Sequence, residues 1–140
     1  MSKARVYHVM ILAVASGCSR APLPTDILTG HWAMRYSSAQ GAGGAIYDLR
    51  SDGVLVSALT IMNDGGETCA GPKSEATFPG RWSATERTIT FAWGMNCRVT
   101  RCIFMCAPTD GQSTVGYTIS TDERALTLNW DEAPQVFTRE

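Results

Sequence analysis

The chain is short of most things that announce an activity. Across its 140 residues no apolar run approaches the ~20 residues that a membrane-spanning helix needs. It has no basic excess: 12 basic residues stand against 13 acidic ones, which leaves no electrostatic footprint for nucleic acid or an anionic surface. Histidine is nearly missing, with only His8 and His31. That excludes His-rich metal motifs such as H-E-x-x-H, and G-x-S-x-G is absent too. His31, with no nucleophile in its neighbourhood, reads as structural rather than as a catalytic base. Helical periodicity is also lacking, and the apolar pattern beyond residue 30 has period two.

What is present begins at the N-terminus. Lys3 and Arg5 precede the apolar run Val9 to Ala15, which is the length of a signal h-region. The run leads into Val14-Ala15-Ser16-Gly17-Cys18, which looks like the lipobox of a bacterial lipoprotein. That resemblance implies a signal peptide over 1–17, acylation of Cys18 and a cell-envelope location, in the outer membrane if the source is Gram-negative. A rival cut after Ala13-Val14-Ala15 would release a soluble secreted form. Cysteine parity favours the lipoprotein. Five cysteines would leave one odd thiol in an oxidising compartment, whereas lipidation of Cys18 leaves four. Residues 18–29 then read as the lipidated cysteine and an extended tether, stiffened by Pro22 and Pro24.

The remaining 123 residues suffice for one domain over 30–140 with one modest core. Without Lys3 and Arg5 the balance is 10 basic to 13 acidic residues, a net charge of −3. Cys69, Cys97, Cys102 and Cys106 suit two disulfides in an exported domain. An all-cysteine zinc site is the alternative, although paired C-x2-C knuckles are absent. Connectivity does not follow from spacing, but Cys69 lies in the Gly-rich segment 63–77, so one bridge is expected to tie that segment to the 97–106 region.

Alternation marks the strands. Trp32, Met34 and Tyr36 share one face; Tyr47 and Leu49 precede the turn Ser51-Asp52-Gly53, and Leu55, Leu59 and Ile61 follow it. Gly80-Arg81-Trp82 leads to Ile89, Phe91 and Trp93. Val99, Ile103 and Met105 are read on one face with Arg101, and Cys102, Phe104 and Cys106 on the other. Val115, Tyr117 and Ile119 run into a turn at 121–124, then come Leu126, Leu128 and Trp130, and Val136-Phe137 end the chain. About eight or nine short strands without a helix predict an all-β domain, a single antiparallel meander closed into a small barrel. Gly41–Gly44 reads as a flexible hairpin loop.

Gly30-His31-Trp32 at the start of the first strand resembles the G-x-W signature of lipocalin-like proteins. The segments Tyr47–Gly53, Gly80-Arg81-Trp82, Leu126-Thr127-Leu128 and Phe137-Thr138-Arg139 are similar to those of small bacterial lipocalin-like lipoproteins. The resemblance covers residues 30–139. It implies a barrel whose closed end is plugged by Trp32, with Arg139 of the last strand stacked nearby.

Other candidates have plain readings. Asp122-Glu123 and Asp131-Glu132 sit in turns, and neighbours on a strand face opposite ways, so neither pair converges on one bond. Asn63-Asp64-Gly65-Gly66 lacks calcium-loop spacing. Trp32, Trp82, Trp93, Trp130, Phe91 and Tyr117 serve as core or line a pocket. The expected role is a lipid-anchored, non-enzymatic interaction or accessory module working through its loops, with an unknown envelope protein as partner. The alternative is a binding protein for a small apolar ligand in the barrel mouth. No cofactor, catalytic residue, metal or nucleic acid is expected.

Overall fold

A computed structural model describes residues 23–38, 41–64, 66–71 and 74–140. The signal segment and Cys18 lie outside the described residues. One helical turn, α1 (Pro24–Leu28), leads into β1 (Gly30–Ser38), β2 (Gly41–Leu49), β3 (Val54–Asp64), β4 (Glu67–Thr68), β5 (Glu75–Ala84), β6 (Thr88–Ala92), β7 (Met95–Thr100), β8 (Ile103–Pro108), β9 (Gln112–Ile119), β10 (Ala125–Asn129) and β11 (Pro134–Arg139).

The expected fold class holds: eight of these strands form a closed antiparallel barrel. Around the ring, β1 pairs β2, β2 pairs β3, and β3, β5, β6, β9, β10 and β11 follow in turn until β11 returns to β1. Closure leaves no open edge within the ring, so the strands' amides and carbonyls are paired without a partner chain. Outside the ring, β4 adds two residues to β3, and β7 pairs β8 as a separate hairpin between β6 and β9.

An interior of eight strands is just wide enough for side chains to fill. Here Trp32, Leu49, Leu55, Ile89, Phe91, Leu126, Leu128 and Phe137 are fully buried and pack with Trp82, Tyr47 and Val115. The alternation read from the sequence supplies this set directly. Leu28, from α1, joins it with no exposed surface.

Three expectations need correction. Residues 24–28 are not extended tether. Pro24 occupies the first turn of α1, where a missing N–H costs nothing; burial of Leu28 then makes the turn part of the domain. The Gly41–Gly44 run is strand, not loop, and carries a bulge at Ala42/Gly43. A Cβ on Gly43 would strike the Tyr36 ring and the Thr60 carbonyl, so glycine lets the tyrosine lie across the sheet. Finally, residues 99–106 are not one strand. The chain reverses at Arg101-Cys102, both at positive φ (49° and 63°), and Val99 pairs with Phe104. Val99 therefore shares the face of Phe104, Cys97 and Cys106, while Met105 shares that of Arg98 and Ile103 that of Thr100. A two-residue turn inverts odd-even parity, and only β-pairing reveals it.

The two ends of the barrel differ. At one end the strands are joined by short connections (50–53, 85–87 and 120–124) and α1 lies across the opening. At the other end lie the long connections, 65–74 and 93–111, the second containing the β7–β8 hairpin.

Candidate functional site

At the closed end Trp32 and Arg139, cross-strand partners on β1 and β11, are brought together. The guanidinium carbon sits 4.2 Å from the indole centroid, a cation–π stack over a fully buried ring. Trp32 Nε1 donates to the Leu28 carbonyl at 2.7 Å. Arg139 Nε donates to the Glu123 carbonyl at 2.9 Å, Nη1 to the Thr29 carbonyl at 2.8 Å and Nη2 to the Ile27 carbonyl. One side chain thus ties α1 and the β9–β10 turn to the last strand. Gly30, at φ 137°, is required beside it: a Cβ there would lie 2.9 Å from Nη1. On the opposite wall Trp82 Nε1 donates to the Arg50 carbonyl at 2.9 Å. Among the described residues these side chains, with Leu28, fill this end.

The cysteines organise the other end. The four pair as disulfides, Cys69–Cys102 and Cys97–Cys106, rather than as a thiolate metal site. Cys97–Cys106 links directly opposed residues of β7 and β8 with Cα atoms 4.1 Å apart. Cys69–Cys102 joins the segment after β4 to the hairpin turn, the tie expected for segment 63–77. The Cys102 amide also donates to Asp64 Oδ2 at 3.0 Å, and the Cys69 amide to the Met62 carbonyl at 2.9 Å. Asp64 is thus a turn anchor. Phe104 meets Phe78 of β5 edge-on at 6.3 Å, which seats the hairpin against the barrel wall.

Under this hairpin the barrel has an opening. A cavity of about 240 Å³ is lined by Tyr47, Ser57, Leu59, Phe78, Trp93, Met95, Asn96 and Cys97. Tyr47 also borders a wider depression of about 530 Å³, formed with Trp130, Asp131, Glu132, Ala133 and Gln135 at the β10–β11 turn. Phe91 stacks on Trp93 at 4.7 Å with 21° between the rings and lies 6.5 Å from Trp130 with 29° between them. Tyr47 tilts against Trp93 at 5.4 Å and Phe137 at 4.8 Å. Burial pushes its phenol up to about 12, so it stays a neutral hydroxyl through the physiological range.

Of the aromatics singled out from sequence, Trp32, Trp82 and Phe91 are core, and Tyr117 holds the Thr85 carbonyl through its hydroxyl at 2.9 Å. Trp93 and Trp130 reach the mouth. Sequence reasoning missed Tyr47 and Phe78 as wall residues. The parity of Tyr47 with Leu49 pointed inward all along, while Pro79 disguised β5 before Gly80.

His31 is on the outer wall with its side chain 61% exposed, 3.7 Å from Asp48, which is also held by Arg50 at 2.9 Å. Among the described residues no group of three or more His, Cys, Asp or Glu side chains is placed to hold a metal. No family model, curated protein or solved structure matches the chain.

Proposed function

We propose that this chain is a non-enzymatic interaction module of the cell envelope, lipid-anchored through Cys18 and working through the loops at its barrel mouth. One observation carries the reading: the closed end is filled and sealed, while both long connections gather at the other end and are stapled together by Cys69–Cys102. Loops held on a rigid scaffold are where binding residues concentrate. Exposed Met62, Val99, Ile103 and Met105 give this end an apolar surface. The cavity under the hairpin, about 240 Å³, is smaller than the ~300 Å³ at which small-molecule pockets begin, and the wider depression beside it is rimmed by Asp131 and Glu132, so neither favours an apolar ligand.

Lipid attachment would also orient the domain. Only residues 19–23 separate Cys18 from α1, a reach of at most about 17 Å. The sealed end would then lie toward the membrane and the mouth away from it, where a lipocalin-like barrel could meet a partner.

The test has two arms. Expression with the native signal in a Gram-negative host, followed by intact mass, should give an acylated product beginning at Cys18 with no alkylatable thiol. A product cut after Ala15 would contradict the anchor. A photo-crosslinker placed at Ile103 or Met105 should then give a defined envelope adduct that the same group at Thr118, on the outer wall, does not. Equal labelling from the wall would overturn the loop-mediated role.

A further inference from the structure

The depression at the β10–β11 turn has a chemistry that the loop reading does not use. Its floor is Tyr47, whose side chain is 8% exposed and whose hydroxyl has no hydrogen-bond partner among the described residues. Among the described residues no buried polar side-chain atom is left unsatisfied. The phenol oxygen therefore reaches the open space it borders rather than being sealed in the core. Trp130 forms one wall, its ring 6.5 Å from Phe91, which itself stacks on Trp93. Asp131 and Glu132 form the rim, and neither carboxylate has an ion-pair or hydrogen-bond partner among the described residues. No lysine or arginine lines this depression or the adjoining cavity.

Aromatic faces carry negative potential, and electron-rich rings beside carboxylates favour one kind of guest. An anion would meet two uncompensated carboxylates. A neutral apolar molecule would leave them and the Tyr47 hydroxyl unused. A small ammonium satisfies all three, with its charge against the rim and the indole face and its alkyl groups on the rings.

We propose that the barrel mouth is a binding site for a small organic cation, a quaternary or protonated amine, held between Tyr47, Trp130, Asp131 and Glu132. The site lies at the β10–β11 turn, apart from the hairpin face of Ile103 and Met105 offered to a protein partner, so each reading stands or falls without the other.

The experiment uses the processed, oxidised protein and two probes of nearly equal shape, choline and its uncharged isostere 3,3-dimethylbutanol. Trp93 and Trp130 report through intrinsic fluorescence. The expected result is saturable change with choline and at least tenfold weaker change with the isostere. The double variant Asp131→Asn/Glu132→Gln alters only an exposed turn. It should weaken choline several-fold and leave the isostere unchanged. Trp130→Leu should remove the choline response while the thermal transition stays cooperative. Equal affinity for both probes, no saturation with choline, or indifference to the turn variant would each overturn the proposal.

Discussion

The sealed end and the mouth of this barrel solve opposite problems with opposite materials. The sealed end is held by non-covalent contacts that converge: one arginine bonds three backbone carbonyls and stacks on a fully buried indole. The mouth cannot bury its long connections, so covalent bonds replace packing, with two disulfides whose four cysteines are all only partly buried. Burial gives stability where no access is needed. Cross-links give shape where surface must stay open.

The comparison can be broken most forcefully at the sealed end. Trp32→Ala removes a fully buried ring, its bond to Leu28 and the seat of Arg139, and should cost about 3–5 kcal/mol. Urea unfolding measures it, and a loss below about 1 kcal/mol would show that the plug is dispensable. At the mouth, replacing Cys69 and Cys102 together by serine frees a loop of sequence separation 33 and should cost about 2–4 kcal/mol. Near-ultraviolet circular dichroism at low denaturant should retain the signal of the buried tryptophans, because the barrel itself is not cut.

How much of this division was legible beforehand depends on what each end is made of. The sealed end was readable, because Trp32, Leu49, Trp82 and Phe137 belong to alternating strands whose parity dictates their direction. The mouth was not. Simple alternation puts Val99 on the wrong face because a two-residue reversal at Arg101-Cys102 inverts the count. Disulfide partners depend on which strands meet in space, and Tyr47 matters through an unpaired hydroxyl, a property of surroundings rather than of spacing. Leu28 escaped because the prolines around it signal extended chain, and only burial shows that a single helical turn closes the barrel.

A third perturbation lies between the ends. Tyr47 has a folded pKa raised to about 12 from 10 by burial. For an acid with a raised folded value, the neutral form is favoured in the fold. The contribution is therefore complete below pH 10 and is lost as pH rises from 10 to 12, by at most about 3 kcal/mol. Tyr47→Phe should flatten the alkaline limb of the stability profile in that window and leave the neutral region unchanged in slope. A profile of unaltered steepness would place the alkaline loss elsewhere.

The smallest effect is expected on the exposed hairpin face. Ile103→Ser with Met105→Ser removes surface apolar groups and should change stability by no more than about 0.5 kcal/mol. With the photo-crosslinker moved to Thr100, exposed on the same hairpin face, the change should abolish crosslinking to an envelope partner. A large stability loss would mean that this face packs on the barrel instead of being offered to a partner.

The most direct measurement is amide hydrogen exchange by mass spectrometry on the processed domain, with and without reductant. The account predicts that reduction accelerates exchange in 66–71 and 95–108, while β1, β10 and β11 keep the protection of the whole fold. Reduction that opens both ends together, in a single cooperative step, would contradict the division into a packed end and a stapled one.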